Sequence, residues 1–357
     1  VSVSNGAPGR PGTVSLRGLG AGYTQILLNG QRTPAAFSLD SLATDLIERI
    51  EILRAPSADQ GMGAIAGTLN IVTRAPVAKD SQRLTVSWTD TQGRMTPSAS
   101  WRQARSNLDR DVSLTATATA RAFLAEERSR EDAWDGVGTP LLHRQSRLRA
   151  TGQRNSVSLS PSLTFRTSDD TTLSLQALVD ASDFRRDMTI DWDTLLGPAL
   201  RTPHYRQRTH LRLDQGQVSA EWEKKLSDGG SLNLRLAMDG NREDYRFREQ
   251  GQDEAQQDNL FDRTDAKLHV LGGTTRVKWT LPAWGRHTLQ VGAESSMDSR
   301  RESRVQQLHS SPSEPSTVSD LSFDARLNRV ALYAQDEFPW GARSAFYVGG
   351  CWEQLQT

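Results

Sequence analysis

From residue 83 onward, apolar and polar positions alternate along the chain with a period of two. Leu84, Val86 and Trp88 oppose Arg83, Thr85 and Ser87. Val112, Leu114, Ala116, Ala118 and Ala120 oppose Ser113, Thr115, Thr117 and Thr119, and Leu232, Leu234, Leu236 and Met238 oppose Asn233, Arg235, Ala237 and Asp239. This is the signature of strands with one apolar and one wet face. Eleven such strands are predicted over about residues 83–355. Tight turns are expected at 91–94, 106–111, 168–171, 227–230, 282–286 and 339–343, and longer polar loops at 130–142, 193–203, 250–263 and 306–321.

Residues 14–74 have a different grammar, packed into about sixty residues. Gln25 to Leu28 is a short apolar run ended by Asn29-Gly30, a pair that tolerates the positive φ angles of a tight hairpin. Asp40 and Ser41 can cap a helix whose apolar positions Leu42, Leu46, Ile47 and Ile50 recur at three- and four-residue spacing. From Ile50 the period shifts to two, and Ala55-Pro56 stops the run. Gly61, Gly63 and Gly67 loosen the backbone before a last strand at Thr68 to Thr73. A compact α+β unit is expected here.

The stretches RGLGAGYTQILLNGQR and LIERIEILRAPSADQGMGAIAGTLNIVTR resemble the plug domain of TonB-dependent outer-membrane transporters, with matching elements in the same order. Ala55-Pro56 stands where that family more often has Gly-Pro, and Asp59-Gln60 where an aromatic is common. The resemblance implies a partial α+β plug at residues 1–76 and a transmembrane antiparallel β-barrel from 77 to 357. It also implies an energy-coupling segment upstream of Val1, so the chain reads as cut at the front.

Composition fits this class. The apolar fraction is 36% and the mean hydropathy −0.58, and no run approaches the roughly eighteen apolar residues of a spanning helix. A β-barrel escapes that test, because lipid-facing and lumen-facing residues alternate. Short turns on one side and long loops on the other are the asymmetry of outer-membrane barrels. Phe165, Trp222, Trp279 and Phe338 lie near the tight turns, where an interfacial girdle belongs. Leu211 and Leu213 are out of phase with Val218, Ala220 and Trp222, and Leu268 and Val270 with Val277, Trp279 and Leu281. Gly216 and Gly272-Gly273 mark the breaks, which predicts either bulges or the level at which a long strand leaves the membrane. A lumen that holds a folded plug needs roughly 22 strands, so about half a barrel is expected.

Enzymatic chemistry finds little support. Gly18, Gly20 and Gly22 fall short of a dinucleotide loop, since Tyr23 stands near the place of its third glycine and a strand follows. The six histidines are scattered without metal-ligand spacing, and neither G-x-S-x-G nor H-E-x-x-H occurs. No catalytic residue, cofactor or bound metal is expected. Equal numbers of basic and acidic residues, 43 each, argue against nucleic acid as a partner. The single cysteine, Cys351, excludes an internal disulfide.

What remains is binding and gating. By resemblance, Arg17 and Arg54 lock plug to wall through barrel glutamates expected from strands beyond this chain, with Glu48 and Glu51 as local alternatives. The outward plug loops would contact ligand through Arg10, Gly22, Tyr23, Pro34, Ala35 and Phe37. The implied protein is a monomeric outer-membrane receptor of a Gram-negative bacterium, energised by the TonB complex and importing a ferric siderophore. Haem, cobalamin or a saccharide are alternative cargoes, and a non-transporting sensor is an alternative function. A soluble β-rich enzyme is disfavoured by the long strands and the lack of a fixed repeat.

Overall fold

The computed structural model describes residues 2–4, 13–19, 23–33, 47–53, 66–73, 80–91, 93–282, 285–309, 315–340 and 344–357. Every helix or strand among them is a strand, apart from a single 3₁₀ position at Tyr23. Near the N-terminus β1 (Ser2–Ser4) pairs with β2 (Thr13–Ser15). A four-stranded sheet follows, built from β3 (Thr24–Leu28), β4 (Gln31–Arg32), β5 (Ile47–Leu53) and β6 (Gly67–Thr73) in the order β4-β3-β6-β5. The β3–β6 pair is parallel and the other two are antiparallel.

The expected helix meets a correction here. Positions 40–46 lie outside the described residues, but Ile47 and Ile50 belong to β5, where Ile50 sits opposite Ile71 and Ile52 opposite Leu69. Branched isoleucines suit a pleated surface, and pairing with a strand distant in sequence outweighs a weak three- and four-residue spacing.

The wall is an eleven-stranded antiparallel sheet in which each strand pairs with the next. It runs β7 (Ser81–Thr91), β8 (Arg94–Ser106), β9 (Arg110–Trp134), β10 (Pro140–Ser168), β11 (Thr171–Leu196), β12 (His204–Lys225), β13 (Ser231–Gln252), β14 (Asp258–Thr280), β15 (Thr288–His309), β16 (Thr317–Trp340) and β17 (Ser344–Gln356). The strand number agrees with the two-residue periodicity. The long loops do not. Between strands at that end only 135–139, 197–203 and 253–257 remain, 310–314 lie outside the described residues, and the rest of the polar stretches is strand apart from 315–316. A backbone ladder is indifferent to side-chain polarity, so a ribbon wetted on both faces pairs as well as an amphipathic one and loses its alternation. Strands β9–β16 span 22 to 29 residues, whereas a tilted strand crosses a bilayer in about 9–11.

The phase breaks are not bulges. Pairing of β11 with β12, and of β14 with β15, runs in unbroken register past Gly216 and Gly272-Gly273. The faces exchange polarity instead. Val218, Trp222, Leu271 and Trp279 point away from the N-terminal sheet, while Leu211, Leu213, Leu268 and Val270 lie on the opposite parity, facing inward.

The wall is inside out relative to a soluble sheet. Thr115, Ser158, Gln215, Asn241 and Glu294 are buried on the inner face, while Val157, Val179, Met238, Leu271 and Leu332 are exposed on the outer. Phe165, Trp222, Trp279 and Phe338 share that outer face near the short turns. The hydrophobic cluster joins the two parts: Leu28, Leu69 and Ile71 pack against Leu178 of β11, with Ile26 and Ile47 alongside.

At the opposite end the 135–139 turn is organised by one carboxylate. Asp135 accepts from the amides of Val137 (3.0 Å) and Thr139 (2.7 Å). These bonds, Thr139 foremost, hold its carboxyl below the usual range against the opposing effect of desolvation. A depressed folded value means the stabilisation is present above the ordinary carboxylate pKa of about 4 and is lost as pH falls through the lowered one. Amide exchange at Val137 and Thr139, compared at matched intrinsic rates, is expected to accelerate only below about pH 4; acceleration already near neutrality would contradict the assignment.

Candidate functional site

Asn29 and Gly30 form the turn between β3 and β4, with φ of 52° and 76°. These left-handed values are what an Asn-Gly hairpin requires. The turn is tied to its own sheet first. The Asn29 amide donates to the Ile71 carbonyl (2.8 Å), the Gly30 amide donates to Asn70 Oδ1 (2.7 Å), and Asn29 Oδ1 accepts from the Thr73 amide (2.8 Å).

The wall then grips the turn from two strands. Asn29 Nδ2 donates to Gln176 Oε1 of β11 (2.8 Å), and the Asn29 carbonyl accepts from the guanidinium of Arg235 on β13. Arg235 also faces Glu221 of β12 at 3.4 Å. Its side chain is only 15% exposed, so this grip works in a largely desolvated place where each bond counts for more than in water. A cavity of about 500 Å³ opens beside it, bounded by Gly30, Thr33, Arg235, Arg276, Glu294 and Asp298.

Behind the cavity lies a charged ladder across the inner wall. Arg276 donates to Glu294 (Nε to Oε2, 2.6 Å), Glu294 also accepts from Arg329, and Arg329 donates to Glu353 of β17. Glu294 and Arg329 are buried. Further from the short turns the inner face becomes aromatic. Phe123 stacks on Phe184 at 5.9 Å, Arg154 lies 5.5 Å from the Phe184 ring centre, and Tyr245 stacks on Phe247 at 6.5 Å. A second hollow of about 640 Å³ is lined there by Leu211, Tyr245, Phe247, Glu243, Arg300 and Arg304.

Residues 1–68 match the family described as the TonB-dependent Receptor Plug Domain. The chain is consistent with a fragment of a TonB-dependent receptor. Its fold is that of the ferripyoverdine receptor of the outer membrane of Pseudomonas aeruginosa, with a TM-score of 0.60 at 13% identity over 96% of this chain and 46% of that one. It is also that of the copper transporter OprC, with a TM-score of 0.53 at 17% identity over 98% of this chain and 59% of that one. The chain thus spans about half the length of these two receptors.

Of the eight plug residues proposed from the sequence for ligand contact or locking, two are described. Tyr23 is 50% exposed at the start of β3. Arg17 is exposed, with φ of 56°, in a turn closed by the Leu19 amide donating to the Leu16 carbonyl (3.1 Å). Arg10, Gly22, Pro34, Ala35, Phe37 and Arg54 lie outside the described residues. Glu48 and Glu51 both pair with Arg49, each at 2.8 Å. The contacts that join plug to wall in the described part were not singled out: Asn29 was read only as a turn residue, Arg235 only as a polar position of an alternating strand, and Gln176 not at all. The usable signal was their parity, which places Gln176 and Arg235 on the wet face that a barrel turns inward.

Proposed function

We propose that this chain is the plug and adjoining wall of an outer-membrane importer of a Gram-negative bacterium, with the plug ending near residue 76 and the wall beginning at 77. The observation that carries this reading is the grip of Gln176 and Arg235 on the Asn29-Gly30 turn, because it seats a folded N-terminal sheet against a wall whose inner face is polar and outer face apolar. Such a wall suits lipid outside and an aqueous lumen inside. The plug closes the lumen until the TonB complex rearranges it.

The cargo we infer is a ferric siderophore. The ferripyoverdine receptor supplies the precedent, and the stacked aromatics and arginines of the inner wall offer flat surface and positive charge to a bulky anionic chelate. Tyr23 would meet it from the plug side, with Arg10, Gly22, Pro34, Ala35 and Phe37, while Arg17 and Arg54 would help lock plug to wall.

The test is uptake of radiolabelled iron from a panel of siderophores, in cells carrying the full-length reading frame against its deletion, with and without collapse of the proton gradient. Uptake of one chelate, lost in the deletion and on collapse, is expected. Binding without gradient-dependent uptake would replace transport by sensing, and no response to any chelate would remove iron as the cargo.

A further inference from the structure

Counted in twos from the buried Asn241, the inward positions of β13 read Glu243, Tyr245, Phe247 and Glu249. A carboxylate thus stands at each end of a stacked aromatic pair whose planes lie 5° apart. Register supplies the facing side. Across β14, Glu243 is opposite Glu302 over Leu268, and Tyr245 is opposite Arg304 over Ala266. The two sides are separated by two strand spacings, about 10 Å, and the small Ala266 leaves the space between them open. This is the hollow of about 640 Å³ on the inner wall.

Most of its inward charges already have partners. Glu302 is bonded to Arg300 (2.7 Å), Asp262 accepts from Gln306 Nε2 (2.9 Å), and Arg304 donates to Gln306 Oε1 (3.1 Å). Glu249, beyond the aromatic pair, accepts from Gln207. Lys267 also borders the hollow but has the outward parity. Glu243 is the exception: half-buried, it makes neither a hydrogen bond nor an ion pair among the described residues. A carboxylate drawn out of water without a donor is costly. A cation placed between it and an aromatic face gains from both the charge and the ring.

We infer that this hollow seats a positively charged arm of the cargo, a primary ammonium or a guanidinium group, with Glu243 accepting its hydrogen bonds and Tyr245 and Phe247 covering it. The inference rests on the iron-chelate reading above and narrows it to chelates that carry such an arm beside their iron-binding groups. A wholly anionic or uncharged chelate would gain nothing from Glu243.

The experiment measures binding to the full-length receptor by quenching of tryptophan fluorescence. The probes are ferrioxamine B, which carries one free ammonium arm, its N-acetyl derivative, which lacks only that charge, and ferric enterobactin, which is anionic throughout. Wild-type receptor is expected to prefer ferrioxamine B to its N-acetyl derivative about tenfold or more. Glu243→Gln should reduce that preference about tenfold, and Glu243→Asp, which keeps the charge, should restore part of it. Tyr245→Leu, which keeps apolar cover but loses the ring, should reduce it less. Equal binding of the matched pair by wild type would overturn the inference, as would an unchanged preference in a Glu243→Gln receptor that keeps its heat-modifiable gel mobility. Binding of enterobactin without ferrioxamine B would also overturn it, while leaving iron import intact. Where the uptake panel selects another chelate, that chelate is compared in native and acetylated forms; one with no amine or guanidine group, or one indifferent to acetylation, overturns the inference. Uptake of no chelate removes iron as the cargo and this arm with it.

Discussion

Arg235→Ala is expected to make the lumen leaky to large solutes while leaving the wall folded. The substitution removes the donor to the Asn29 carbonyl and the partner of Glu221. Glu221 is 35% exposed and keeps the Asn233 amide at 2.7 Å, so the loss is mainly that of the charged bond to the Asn29 carbonyl, typically about 1.5–3 kcal/mol. Here that loss falls on the junction of plug and wall, since Arg235 is anchored on β13 and its acceptor belongs to the hairpin turn of the N-terminal sheet. The readout is sensitivity of cells to an antibiotic too large for ordinary porins, together with single-channel conductance of the purified full-length receptor. Arg235→Lys keeps a charge but loses the planar fork, so partial closure is expected. Gln176→Ala provides an independent arm: it leaves the turn, its bonds to Thr73 and the carbonyl that Arg235 holds, but deletes the bond to Asn29 Nδ2. It should leak less than Arg235→Ala. Equal conductance for wild type and Arg235→Ala would show that the turn is not a latch.

Glu294→Ala should act on the wall itself. Glu294 is buried between Arg276 and Arg329, and Arg329 reaches on to Glu353, so one carboxylate holds two guanidinium groups on neighbouring strands. Its deletion leaves Arg276 without an ion-pair partner among the described residues and Arg329 with Glu353 alone. A loss of about 3–5 kcal/mol is expected, read as a lower temperature for the gel-mobility shift of the full-length barrel or a lower urea midpoint. Glu294→Gln retains hydrogen-bond acceptance without charge and should fall between. Replacing the ladder by apolar residues of similar volume would leave no orphaned charge and need not destabilise. A Glu294→Ala barrel as stable as wild type would mean that water replaces the carboxylate there. The two predictions separate cleanly, since Arg235 joins wall to plug and Glu294 joins wall to wall.

Much of this architecture is legible residue by residue. Alternation such as Val112-Ser113-Leu114-Thr115 states which side chains share a face, because successive residues of a strand point to opposite sides. Asn29-Gly30 announces its turn, because few other pairs accept two left-handed residues in succession. The exchange of faces at Gly216 and at Gly272-Gly273 was visible too, and the unbroken ladders decide between its two readings: strands that leave the apolar band rather than strands that bulge.

Other features depend on contacts that no local pattern contains. Residues 130–134 and 140–142 read as loop because they show no two-residue alternation, yet they pair, since a ladder satisfies backbone groups whatever the side chains are. Ile47 and Ile50 suit a helix face and a strand equally, and β6 settled the matter by pairing with them. Gln176 and Arg235 stand 147 and 206 residues from Asn29, so only the folded wall brings them to the turn. The sequence by itself therefore determined the strands, their faces and the tight turn, all of which arise from neighbours along the chain. The tertiary structure alone decided how far the strands run, what the plug touches and where buried charges meet, because those outcomes are set by hydrogen bonds and ion pairs between residues that the sequence keeps far apart.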